Sequence, residues 1–135
     1  MLKNNEKYNN EVSAATCLLL TIAKSDEKVE LSEIEAIKDI ISDFFNLEKD
    51  NLEKLILNCL NDLKKSTDFY KYSRELNKRF TYQDKIDFIC CAFEVAYSDG
   101  DFHYLEEHFI KKISNTLNVE HSDLINAKQE MKKYL

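Results

Sequence analysis

The chain has 135 residues, 33% of them charged, and a formal net charge of -6. That length suits one hydrophobic core, while the lack of proline and the single glycine, Gly100, remove the punctuation that turn-rich sheet folds need. The acidic balance excludes a generic phosphate-backbone binder, which needs a concentrated basic face, so no nucleic acid partner is expected.

Met1 to Asn10 is polar and lacks the apolar segment and small-residue cleavage site of a secretory signal. It reads as a flexible N-terminal segment, followed by a single helical domain over residues 11–135 of a cytoplasmic protein. Apolar side chains spaced three and four residues apart predict about seven helices in an all-α fold. The first runs from Asn10 to Lys24 with Val12, Ala15, Leu19 and Ile22 inward. It holds the longest apolar stretch, Ala14 to Ala23, interrupted by Thr16 and Thr21. That is half a membrane span, so it reads as a core helix and the protein is not itself a membrane protein. The second helix, Ser32 to Phe45, presents Ile34, Ile37, Ile41 and Phe44, and the third, Asp50 to Lys65, presents Leu52, Leu55, Cys59 and Leu63.

The fourth and shortest helix starts after Ser66 or Thr67, whose hydroxyls suit an N-cap, and shows Phe69, Tyr72 and Leu76 before ending near Arg79. Thr81 caps the fifth, with Asp84 as a capping-box partner and Ile86, Ile89, Phe93 and Ala96 inward. The sixth, Tyr104 to Leu117, buries Phe109, Ile110, Ile113 and Leu117. The last, His121 to Tyr134, carries Leu124, Ala127 and Met131, with Lys132 and Lys133 against the negative end of its dipole. The four cysteines, Cys17, Cys59, Cys90 and Cys91, lack any zinc-binding spacing and read as reduced core residues. Cys90 and Cys91 point about 100° apart on a helix, so at most one centres on a narrow core stripe.

The chain repeats itself. Ala23-Lys24-Ser25-Asp26 matches Ala96-Tyr97-Ser98-Asp99, Val29 matches Phe102, Glu33 matches Glu106 and Ile37 matches Ile110 at one constant offset. Ile41-Ser42 and Asn46-Leu47-Glu48 then match Ile113-Ser114 and Asn118-Val119-Glu120 at an offset one residue shorter. Helices one to three and five to seven are thus two pseudo-repeated helix-loop-helix halves, bridged by the fourth and related by a pseudo-twofold axis.

Asp26 and Asp99 fall at helix carboxyl ends, where the dipole disfavours an anion, so something must compensate. One reading is local. Each Asp bonds loop N–H groups, and Glu33 and Glu106 reach back from the third helical position to N-caps at Glu30 and His103, with Ser32 and Glu35 as a competing cap. The other brings all four carboxylates together, which requires protons or a hard divalent cation such as Ca²⁺, Mg²⁺ or Mn²⁺. The spacing is not an EF-hand, because Phe102 and His103 follow Asp99-Gly100-Asp101 where oxygen ligands belong. Gly100 suits a left-handed helix terminus, whereas its counterpart Glu27 does not.

These paired Ala-x-Ser-Asp-x-x-apolar-x-x-x-Glu segments, at Ala23 to Glu33 and Ala96 to Glu106, resemble the TerB-like, tellurite-resistance-associated domains over about Glu11 to Ala127. Ala96-Tyr97-Ser98-Asp99-Gly100 carries the resemblance best; the first half has Glu27 in place of the glycine. The resemblance implies a compact helical bundle, a non-enzymatic role in stress-response assemblies often linked to membrane-associated complexes, and a protein partner. It also implies divalent-cation binding, which carries over to Asp26, Glu33, Asp99 and Glu106.

The alternative is a metal-dependent enzyme using the same carboxylates as acid, base or metal ligands. No Ser, His and Asp order and no glycine-rich phosphate loop supports it, and His103, His108 and His121 read as surface or capping residues. The aromatic cluster Phe69, Tyr70, Tyr72, Phe80 and Tyr82 is either a docking site for a protein partner or the rim of the core.

Overall fold

The computed structural model describes the backbone of residues 2–24, 29, 31–65, 68–98 and 104–134, with side chains from residue 10 onward. Within them lie seven α-helices and no strand: α1 (Leu2–Ala23), α2 (Leu31–Phe45), α3 (Leu52–Lys65), α4 (Phe69–Asn77), α5 (Tyr82–Tyr97), α6 (Tyr104–Thr116) and α7 (His121–Lys132). A 3-10 turn over Lys49–Asn51 leads into α3. The buried apolar residues of all seven helices form one continuous cluster.

α1 begins at Leu2, earlier than the apolar spacing predicts. Neither proline nor glycine interrupts Leu2 to Asn10, so the backbone carries no stop signal there. The predicted single inward face is also too narrow: every residue from Ala14 to Ala23 is buried. The cause is position, since α2, α3, α4, α5 and α6 all pack against α1. Its two threonines, removed from water, donate one turn back. Thr16 Oγ1 reaches the Val12 carbonyl at 2.7 Å and Thr21 Oγ1 the Cys17 carbonyl at 2.8 Å.

The N-cap of α4 is Asp68, whose carboxylate accepts the Lys71 N–H at 3.1 Å; Ser66 and Thr67, the expected caps, lie outside the described residues. α4 buries Phe69, Tyr72, Ser73 and Leu76 on one stripe and packs on α1 and α6. The capping box at α5 forms as its sequence predicts. Thr81 Oγ1 accepts the Asp84 N–H at 3.1 Å, and Asp84 Oδ2 accepts the Thr81 N–H at 3.0 Å.

α2 and α6 end alike. Asn46 and Asn118 take left-handed conformations, with φ of 55° and 61°, and the next residue's N–H bonds back into the helix: Leu47 to the Ser42 carbonyl at 2.9 Å, Val119 to the Ser114 carbonyl at 3.0 Å. Asparagine tolerates that conformation better than any other residue with a β-carbon, and the bond satisfies an orphan carbonyl.

The cysteines are free thiols, Cys17 and Cys59 buried, Cys90 and Cys91 half-buried on α5. Cys17 on α1 and Cys59 on α3 face each other, and this contact with burial pushes the Cys59 thiol up. It therefore stays protonated. Burial likewise pushes Cys91 up to about 12, so it is not an activated nucleophile.

Candidate functional site

Each half starts its second helix one turn before a glutamate. α2 begins at Leu31 and α6 at Tyr104, which puts Glu33 and Glu106 at the third helical position of each. Both are sealed from solvent, at 0% and 1% exposure. A glutamate that serves only as a reach-back cap ordinarily stays at the surface, and a charged one is almost never fully buried without a counter-charge or donors. Beside them, Glu107 behaves conventionally: the Lys128 ammonium of α7 bonds it and holds its carboxyl below the usual range.

Asp26 and Asp99, the other two predicted cation ligands, lie outside the described residues, as do the expected cap positions Glu30 and His103 and the glycine at 100. Among the described residues, no three His, Cys, Asp or Glu side chains gather closely enough to hold a metal ion. Ser32 and Glu35 form no competing cap. Ser32 is already helical and exposed, and Glu35 pairs with Lys38 at 3.5 Å.

The aromatic group divides. Phe69, Tyr72 and Phe80 are buried; Phe69 stacks on Phe109 at 5.5 Å, and Phe80 joins Phe44 and Phe88 at 5.4 and 5.9 Å. Tyr82 has a structural task, because its hydroxyl donates to Asp123 Oδ2 at 2.6 Å and accepts the Glu120 N–H at 3.0 Å, closing the open start of α7. Tyr70 is the one left largely outside, at 68% exposure. It edges a small cleft of about 220 Å³ with Ser73, Arg74, Asn77 and Thr116. These aromatics are thus chiefly core rim and helix ties.

A second groove, of about 240 Å³, was not anticipated from sequence. α2 contributes Asp39, Ile40, Asp43 and Phe44, and α5 contributes Cys91 and Glu94. Burial, then Asp39 and Asp43, raise the Glu94 carboxyl above its ordinary value of 4.5. The signal that could have found it is the i, i+4 pair Asp39 and Asp43, both on the outer side of the buried stripe of Ile37, Ile40 and Ile41.

Among the described residues no helix is long and apolar enough to cross a membrane. No curated protein matches the chain. A solved structure, that of a protein of unknown function from Porphyromonas gingivalis W83, is 18% identical and superposes with a TM-score of 0.66 over 93% of this chain and 95% of its own. That similarity concerns the fold alone. The family model described as tellurite resistance protein TerB matches residues 12–129, which reach from within α1 to within α7 and include both acidic segments. The chain belongs to the TerB family.

Proposed function

We propose that this TerB-family domain works without catalysis, as a cytoplasmic protein-interaction module of stress-response assemblies, and that its duplicated acidic positions hold a divalent cation. The observation that carries this reading is the matched burial of Glu33 and Glu106. Two carboxylates withdrawn from water at equivalent positions are costly unless hydrogen-bond donors or positive charge meet them, and a cation is one way to supply the charge. Hard ions such as Ca²⁺, Mg²⁺ or Mn²⁺ suit an all-carboxylate donor set.

The packing supports bringing the two halves to one site. α2, which carries Glu33, packs on α1 and α5; α6, which carries Glu106, packs on the same two helices. Exchanging the halves leaves that pattern unchanged, as a twofold relation requires. Glu33 with Asp26, and Glu106 with Asp99, are then the residues that would hold the ion. Once bound, it would offset two of the four negative charges and bridge the two halves.

The test is thermal unfolding of chelator-treated protein with and without millimolar Ca²⁺, Mg²⁺ or Mn²⁺, repeated for Asp26→Asn with Asp99→Asn. A ligand at a hundred times its dissociation constant adds about 2.7 kcal/mol to the native state, a shift of several degrees. A rise that the double variant loses supports the site. No shift with any ion reduces the four residues to helix-end caps.

A further inference from the structure

The groove between α2 and α5 is the open counterpart of the berth that α4 fills. α4 packs on α1 and α6. In the internal repeat α1 answers to α5 and α6 to α2, so the equivalent berth lies on α5 and α2, where the acidic groove is found. Two groove residues on α5 have buried counterparts on α1, and one on α2 has a counterpart that bonds α4. At the spacing that pairs Ala23 with Ala96, Leu18 answers to Cys91 and Thr21 to Glu94. Leu18 and Thr21 are buried, and Cys17 on the same stretch of α1 meets Tyr72 of α4. At the spacing that pairs Ser42 with Ser114, Phe44 answers to Thr116, which bonds Ser73 and Asn77 of α4 at 2.6 and 3.0 Å. Among the described residues the second half supplies no helix of its own for this place.

We propose that the groove between α2 and α5 docks a basic amphipathic helix of a partner protein, in the position that α4 occupies on the opposite half. The proposal rests on reading the domain as an interaction module. Shape and charge both specify the occupant. Ile40, Phe44 and Cys91 give an apolar floor, and Asp39, Asp43 and Glu94 an anionic rim. α4 shows which pattern such a berth accepts: apolar side chains at Phe69, Tyr72 and Leu76, with Lys71 and Arg74 on the exposed side. A lysine already reaches the rim, since Lys49 pairs with Asp39. An incoming Lys or Arg beside Asp43 and Glu94 would relieve a repulsion that the isolated domain leaves in place.

The probe is a fluorescein-labelled peptide with the sequence of residues 68–79, which is amphipathic and positively charged, titrated into the full chain at low salt. Polarisation is expected to show saturable binding, weakened roughly tenfold or more by Asp43→Asn with Glu94→Gln. The same charge change at exposed Glu48 and Asp62 is expected to leave it unaltered. Amide shifts on binding should cluster on α2 and α5. Four results overturn the proposal: no binding at millimolar peptide, equal weakening by both variant pairs, shifts on α1 and α6 that report displacement of α4 itself, or sedimentation showing that a second copy of the chain fills the groove. A cation-dependent rise in unfolding temperature without peptide binding sinks this inference and leaves the acidic site standing. Peptide binding without any cation effect does the reverse.

Discussion

α1 and α5 each precede a helix that carries a buried glutamate, yet they meet their surroundings differently. From Ala14 to Ala23 α1 is enclosed on every side. α5 buries Phe88, Ile89, Ala92, Phe93, Val95, Ala96 and Tyr97 but leaves Cys90, Cys91 and Glu94 at or near the surface. The difference is α4, which packs on α1 and, among the described helices, has no counterpart on α5. α2 and α6 share a buried glutamate and an asparagine helix end. α4, packed on α1 and α6, accounts for the closed side of α1.

The largest expected effect sharpens that contrast at matched positions. Leu18→Ala should cost about 2–5 kcal/mol, because α1 has no way to refill the space from solvent. Cys91→Ala, at the equivalent place on α5, should cost under about 1 kcal/mol. Urea unfolding of the two variants measures both, and equal costs would break the comparison.

A smaller loss is expected at the start of α5. Thr81→Ala removes one side of the capping box and should cost about 1 kcal/mol, read in the same unfolding experiment. Smaller again, and opposite in sign, are Asn46→Gly and Asn118→Gly, which relieve left-handed backbone at both helix ends. Each should raise stability or leave it within about 0.5 kcal/mol, and the two should agree if the halves end alike.

The smallest effect is a pH dependence on the open side. The Glu94 carboxyl is raised in the folded protein, first by burial and then by Asp39 and Asp43. A folded pKa above the unfolded one means that the native state holds the proton more tightly. Stability from this group is therefore full below the ordinary value of 4.5 and is lost as pH rises through the folded value. Glu94→Gln should raise the unfolding temperature at neutral pH, with the gain fading below about pH 4.5. A gain that is unchanged down to acid pH would show that charge is not the cause.

Much of the fold was legible because helical apolar spacing is a local signal. All seven helices and the Thr81 capping box could be read from residues a few positions apart. What escaped depends on neighbours distant in sequence. The total burial of α1 needs five other helices, the tie from Tyr82 to Glu120 and Asp123 joins separate helix starts, and the acidic groove exists only where α2 meets α5. Of the candidate site, sequence singled out the two glutamates, but a pattern of spacing does not reveal that both leave water entirely.

The proposed cation site draws on both halves, and calorimetric titration of Ca²⁺, Mg²⁺ or Mn²⁺ into the unaltered protein and into Glu33→Gln and Glu106→Gln singly tests it most directly. A shared site predicts one ion per chain in the unaltered protein and loss of that binding in either variant. An ion that still binds with undiminished affinity when one glutamate is gone would contradict it.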